Sequence, residues 1–313
     1  MKVVVTGGLG HIGSRLIREL PGYFEMPEIV IVDNLCTQRY ASLFNLPAAA
    51  SYRFVEADVT SVDLRQLFAG ADVVVHLAAL TDAAASFDHP EEMERVNFAA
   101  TKKVAEMCLD TGTPMIHASS TSVYGTEKEA IDEQCGPEDI APQSPYAESK
   151  RKEELLIEQL CKKGLRVMTF RFGTIFGTSP GMRFHTAVNK FCWQAVMEQP
   201  LTVWETAYDQ RRPYLDLIDA VRAVVFVIEK KLFDGCTYNA VTTNATVREV
   251  TDLIHGQIPD LTINFVESRI MNALSYRILN SRLADAGFTM QGDLSKGIGE
   301  TLQLLAQANV RIN

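Results

Sequence analysis

Tyr146 and Lys150 stand four residues apart in the run Tyr146-Ala-Glu-Ser-Lys150. On a helix that spacing puts a phenol and an ammonium on one face. Ser144 and Pro145 just before them suit a helix cap and a first helical position, so the helix can start there. A phenol with a pKa of ~10 is a poor base at neutral pH. A nearby cation favours the phenolate, and a tyrosine so poised can take the proton of a substrate hydroxyl. A second set of hydroxyls lies in Ser119-Ser120-Thr121-Ser122-Val123-Tyr124-Gly125, just after an apolar segment ending near Ala118. A hydroxyl at the carboxyl end of a strand can share a hydrogen bond with a substrate oxygen that becomes a carbonyl, since ligands of open α/β sheets sit there.

Oxidising a hydroxyl needs an acceptor, and the N-terminus supplies a place for one. Gly7-Gly8-Leu9-Gly10-His11-Ile12-Gly13 follows an apolar run at the start of the chain and opens an amphipathic segment. Gly7, Gly10 and Gly13 let the backbone approach a pyrophosphate, and the N–H groups around His11 and Ile12 stabilise its charge at the helix N-terminus. Asp33 lies 20 residues after Gly13, where a carboxylate accepts hydrogen bonds from a ribose 2′-OH. A 2′-phosphate there would meet like charge, so NAD is preferred over NADP. Asp58-Val59 is placed to bracket the adenine. With a positive nicotinamide nearby, the Tyr146 phenolate is favoured further, and Lys150 can also hold the nicotinamide ribose.

These groups require a scaffold that alternates strands and helices. The chain predicts strands at Lys2–Thr6, Ile29–Asp33, Tyr52–Glu56, Val73–His76, Pro114–Ala118 and Arg166–Arg171, and helices at His11–Leu20, Asp63–Phe68, Glu91–Leu109 and Tyr146–Cys161. Continuous apolar runs such as Val73-Val74-Val75 suit parallel strands buried on both faces. The reading is an α/β fold, a doubly wound parallel sheet of Rossmann type with a smaller C-terminal substrate lobe. Beyond Arg171, loops marked by Gly173, Gly177, Pro180 and Gly181 precede a helix near Ala187–Met197, a short strand at Leu201–Trp204 and a helix near Leu217–Lys231. Helices near Thr246–His255 and Ser281–Ala286 follow. The expected division is a cofactor domain of residues 1–171 with about 212–235, and a substrate lobe of 172–211 and 236–313.

Composition bounds the function. Of 313 residues 47% are hydrophobic and 22% charged, which excludes a disordered or collagen-like chain. Thirty Lys+Arg against 39 Asp+Glu give a formal charge of -9, against broad nucleic-acid binding. Cys36, Cys108, Cys135, Cys161, Cys192 and Cys236 are scattered, with no Cys-x-x-Cys pair. They read as reduced cysteines of a cytoplasmic protein, with no metal site. No apolar run approaches the ~20 residues that span a bilayer, so no membrane partner is expected. His76 reads as a strand-end residue, His117 as core, Glu153-Glu154 as a solvated helix face, and Trp193 and Trp204 as packing residues.

Thr6-Gly7-Gly8-Leu9-Gly10-His11-Ile12-Gly13, Asp33-Asn34-Leu35, Asp58-Val59, His76-Leu77-Ala78-Ala79, Asn97, Ser119–Gly125 and Tyr146–Lys150 together resemble the extended short-chain dehydrogenase/reductase family, in its NAD-dependent sugar-nucleotide epimerase/dehydratase branch. The resemblance covers nearly the whole chain. It implies Ser120 as the catalytic hydroxyl, Tyr146 as the general base and Lys150 as its partner. It implies NAD held by the glycine loop, Asp33, Asn34, Asp58, Val59, Leu77, Ala78, Ala79 and Asn97. It also implies a nucleoside-diphosphate sugar in the C-terminal lobe, and a homodimer joined through Glu91–Leu109 and Tyr146–Cys161.

The departures narrow the reaction. Dehydratases of this branch carry an Asp-Glu pair where Thr121 and Ser122 stand, and UDP-glucuronate decarboxylases tend to carry Glu at Ser122. Without those carboxylates, dehydration and decarboxylation lose their support. Oxidation of a sugar hydroxyl remains. It ends in epimerisation or, as an alternative, in release of a keto sugar by a 4-dehydrogenase; a non-catalytic NAD-sensing regulator is the reading from another class. Thr81, Thr121, Ser122 and Thr174 are expected to line the substrate pocket with Ser120. Arginine forks suit a diphosphate, which makes Arg183 and Arg212 expected substrate contacts, Arg277 a weaker one, and Lys190 and Arg211 further cations of the same stretch. Asn189 resembles a family asparagine that contacts substrate phosphate.

Overall fold

The computed structural model describes residues 1–83, 85–267 and 275–307. In chain order the regular elements begin β1 (Lys2–Thr6), α1 (His11–Tyr23), β2 (Glu28–Asp33), β3 (Ser51–Glu56), α2 (Leu64–Phe68), β4 (Val73–His76), α3 (Pro90–Thr111), β5 (Met115–Ser120), β6 (Ala130–Ile131), α4 (Pro145–Cys161) and β7 (Val167–Phe172). They continue β8 (Thr174–Phe176), α5 (Ala187–Val196), β9 (Leu201–Trp204), β10 (Arg211–Asp216), α6 (Leu217–Lys230), β11 (Thr237–Ala240), β12 (Thr243–Thr246), α7 (Val247–His255), β13 (Ile263–Val266), β14 (Arg277–Ile278), α8 (Ser281–Asp285) and α9 (Leu294–Ala306).

Seven strands form one parallel sheet in the order β11-β7-β5-β4-β1-β2-β3. The strand order reverses beside β1, the switch point at which doubly wound folds bind dinucleotides. Val3, Val4, Val5, Ile29, Val30, Ile31, Val73, Val74 and Val75 are buried, because both faces of the sheet are covered. On one face Leu16, Ile17 and Leu20 of α1 pack with Val221, Val224 and Ile228 of α6. On the other, Ala100, Val104 and Cys108 of α3 meet Ile157 and Leu160 of α4. Ser144 caps α4 by accepting from Ala147 N at 3.2 Å, with Pro145 in the first turn, so this helix starts where the sequence predicts.

The C-terminal part has its own core. Phe176, Val188, Phe191, Leu201, Tyr214, Val250, Ile254, Ile298 and Leu302 pack together beneath the β8-β10-β12 sheet and helices α5, α7 and α9. Several elements here are absent from the sequence reading, among them β10, β11 and α9. β11 is only Thr-Tyr-Asn-Ala and lacks an apolar run; its pairing with β7 lies past the expected boundary near residue 235. β10 begins with two arginines and a proline, and α9 carries Gly297 and Gly299, which weaken its helical pattern. No described helix is long and apolar enough to cross a membrane.

Candidate active site

The carboxyl ends of β1, β4, β5 and β7 open into a cleft of about 350 Å³, closed on its far side by β8, β10 and the loops of the C-terminal part. Gly7, Gly10, His11, Ile12 and Gly13 line one end; Leu77, Ala78, Ala79 and Thr81 follow β4; Ser120, Thr121 and Ser122 follow β5; and Tyr146 and Lys150 come from the first turns of α4. The sheet brings these residues together although up to 143 positions separate them in sequence.

The glycine loop is a cradle that side chains would fill. A Cβ on Gly13 would lie 2.6 Å from Gly7 O, and one on Gly7 would lie 2.6 Å from Ala78 N. Gly7 also adopts a φ of 66°, a left-handed conformation that favours glycine. His11 is buried with Nε2 bonded to Gly177 O at 2.9 Å and Nδ1 without a partner. Burial, assisted by Arg183, pushes its pKa down to about 3. The Arg183 guanidinium reaches Thr81 Oγ1 at 2.6 Å while its buried Nε has no partner. Open loop backbone and an orphaned guanidinium nitrogen fit an anionic dinucleotide and a second anion beside it, while the neutral His11 ring, donating through Nε2, leaves Nδ1 as an acceptor.

Asp33, Asn34, Asp58 and Val59 stand outside the cleft lining, on a rim along the ends of β2 and β3. Asp33 accepts from Leu9 N at 3.1 Å and Leu35 N at 3.0 Å, tying the rim to the glycine loop. Asn34 donates to Asp58 at 3.2 Å. Asn97 is buried under the loop after β4, where it accepts from Leu80 N at 2.8 Å and donates to Leu80 O at 2.9 Å. It shapes that loop rather than the cleft surface.

Thr174, Arg183 and Arg212 also line the cleft. Two expected ligand contacts are corrected. Arg277 is exposed and pairs with Glu129 at 3.1 Å, while its neighbour Tyr276 lines the cleft. Asn189 is fully buried and holds the backbone at Gly177 N (3.2 Å) and Arg183 O (3.2 Å), so it aims the arginine instead of facing a ligand. Trp193 packs against Phe184, but Trp204 is 37% exposed and lines the cleft, against the packing role expected of it. The sequence reading missed Arg39, whose guanidinium lies close to Gly10 and lines the cleft. It sits in an irregular loop after β2 that carries no motif.

The largest correction concerns Glu153 and Glu154, which are 0% and 2% exposed rather than solvated. Glu153 Oε2 accepts from Lys150 Nζ at 2.9 Å, Thr101 Oγ1 at 2.8 Å and His117 Nε2 at 3.0 Å. Glu154 accepts two bonds from Arg171, at 2.8 and 2.7 Å, and one from Ser119 Oγ at 2.7 Å. Burial pulls the Lys150 ammonium toward its neutral form; Glu153, with Tyr146 and Glu154, more than offsets this and raises its pKa. Ser120 Oγ accepts from Ser122 Oγ at 2.9 Å, which leaves its own proton for a ligand. A phenol, a hydroxyl and a held ammonium around a dinucleotide cradle can move a proton to or from a hydroxyl-bearing carbon centre.

Comparison with known proteins agrees with this geometry. Residues 3–240 match the model of the NAD dependent epimerase/dehydratase family. The chain is 29% identical, over 96% of its length, to a trifunctional UDP-glucose 4,6-dehydratase/UDP-4-keto-6-deoxy-D-glucose 3,5-epimerase/UDP-4-keto-L-rhamnose-reductase of Arabidopsis thaliana, and spans 46% of that protein. A UDP-glucuronic acid 4-epimerase from Bacillus cereus, solved with UDP-glucuronic acid and NAD, superposes with a TM-score of 0.85 at 25% identity, over 98% of this chain and 100% of that one. MoeE5 in complex with UDP-glucuronic acid and NAD gives 0.84 at 26% identity, over 99% and 100%.

Proposed function

The chain belongs to the NAD dependent epimerase/dehydratase family, and from that premise we propose that it is an NAD-dependent epimerase of a nucleoside-diphosphate sugar. NAD, when bound, supplies reversible hydride acceptance at the sugar carbon. The glycine loop would hold its diphosphate, with Arg39 alongside, and the β2 rim at Asp33 would face its adenosine ribose. The rest is done by the chain's own groups. Tyr146 Oη takes the proton of the sugar hydroxyl and later gives it back. Ser120 Oγ–H bonds the oxygen that becomes the carbonyl. Lys150 keeps a positive charge beside the phenol, and Arg183 and Arg212 hold the anionic part of the substrate.

The observation that carries this reading is that Tyr146, Lys150 and Ser120 line one cleft with the glycine loop. Thr121 and Ser122, which follow Ser120 in that cleft, carry no carboxylate for eliminating water or assisting decarboxylation. Epimerisation is therefore favoured over dehydration. The test is product analysis with UDP- and other nucleotide sugars deuterated at the carbon that inverts. An epimer that retains the label, with no net NADH, is the expected result. Stoichiometric NADH and a released keto sugar would replace the epimerase by a dehydrogenase.

A further inference from the structure

We propose that Glu153 is a positioning residue for Lys150: it is the counter-ion that keeps the lysine charged inside the protein, and so sets the alkaline end of the range over which Tyr146 can work. The proposal rests on reading Lys150 as the partner of Tyr146.

Lys150 is 4% exposed, an environment in which an unpaired ammonium gives up its proton. Glu153, one helical turn along α4, sits 2.9 Å from Nζ and is itself fully enclosed. A buried carboxylate also needs support, and it has four donors: Thr101 from α3, His117 from β5, Lys150, and Ser149 Oγ on its other oxygen at 3.3 Å. Although burial alone would favour the neutral acid, Lys150 and His117 hold the Glu153 carboxyl below the ordinary carboxylate range.

The donors are ordered by a chain of hydrogen bonds that runs from β1 to α4. Thr101 gives its only proton to Glu153, so it accepts from His76 Nε2–H at 3.2 Å. His76 Nδ1 then accepts from Thr6 Oγ1 at 2.7 Å. That arrangement requires a neutral His76, and burial, with His117 and Lys150, pushes its pKa down to about 3. The charged or titratable groups facing the pair are thus Tyr146 and Glu154 on α4, His117 on β5 and His76 on β4. Glu154 is spent on Arg171, Ser119 and Arg151, which leaves Glu153 as the carboxylate bonded to Lys150. Thr6 immediately precedes the glycine loop, so the counter-ion is fixed to the strand that positions the cofactor cradle.

The test follows Lys150 directly, without relying on turnover. In 15N-lysine-labelled protein, with the Lys150 signal assigned by its loss in Lys150→Arg, the ammonium is titrated by NMR. Wild type should hold the Lys150 proton past the ordinary lysine value of about 10.4. Glu153→Gln should lower the Lys150 midpoint at least about tenfold in proton affinity, or about one pH unit. Glu153→Asp, which restores the charge, should return it toward wild type. Lys150 titrating at the same pH in Glu153→Gln as in wild type, or below an ordinary lysine in wild type itself, would overturn the proposal. The alkaline limb of kcat should move to lower pH with the Lys150 midpoint. A moved midpoint with an unmoved limb would overturn the link to Tyr146 while leaving the Lys150–Glu153 pairing intact.

Discussion

Arg171 lies in the middle of the story at the scale of single residues, because its guanidinium stacks over the Tyr124 ring at 4.7 Å and spends both ends on Glu154. Removing one partner of a buried ion pair leaves the other charge uncompensated. Glu154→Gln keeps the shape and loses the charge, so it should destabilise the fold by about 3 kcal/mol, read as a loss in denaturant midpoint. A midpoint equal to wild type would mean that Arg171 finds another anion. Nothing in Lys150-Arg-Lys-Glu-Glu154 announces this burial: two adjacent glutamates in a basic helix turn have the look of a solvated face. What buries them is His117, Ser119 and Arg171, which arrive on neighbouring strands from elsewhere in the chain. The Tyr146/Lys150 pair was legible because its spacing is local to one helix; its counter-ion was not, because the pairing is decided by strand register.

Among elements, the contact that matters most joins the loop after β8 to the start of α1. Ser179 Oγ donates to His11 O at 2.9 Å, Gly181 N donates to Ser14 Oγ at 3.0 Å, and His11 Nε2 lies 2.9 Å from Gly177 O. A Cβ on Gly181 would stand 2.6 Å from Gly10 O and closer still to Leu9 O. Gly181→Ala should therefore push this loop off the glycine cradle and weaken NAD binding about tenfold, a cost of ~1.4 kcal/mol, measured by calorimetry. Gly22→Ala, where a Cβ meets nothing within 4 Å, is the control and should leave affinity unchanged. Equal affinities in both variants would contradict the coupling. The sequence marked Gly177, Pro180 and Gly181 only as loop punctuation. Strands with apolar runs and helices with an unbroken pattern were legible; β10, β11 and α9 were not, since the first opens on two arginines and a proline, the second lacks an apolar run and the third carries Gly297 and Gly299.

Across the whole molecule, one parallel sheet does the positioning. Its switch point beside β1 holds the cradle, its β5 end presents Ser120, and α4 lays Tyr146 and Lys150 alongside, while the C-terminal core supports Arg183 and Arg212 on the opposite wall. The glycine loop, the β5 hydroxyls and the α4 pair were all named from sequence, because each is a short local motif, the first two at a strand's carboxyl end and the third within one helix. The opposite wall was read only in part. Arg183 and Arg212 line it, whereas Arg277 and Asn189 do not, since loops set which side chain of a basic stretch turns inward. In the proposed reaction Tyr146 moves the hydroxyl proton while the sugar is transiently oxidised. Stopped-flow absorbance at 340 nm, with NAD-loaded protein and a nucleotide sugar that it turns over, tests this most directly. Wild type should show a transient rise and decay of reduced cofactor, and Tyr146→Phe should slow that rise by about 10²–10⁴-fold. A Tyr146→Phe trace that matches wild type would contradict the account.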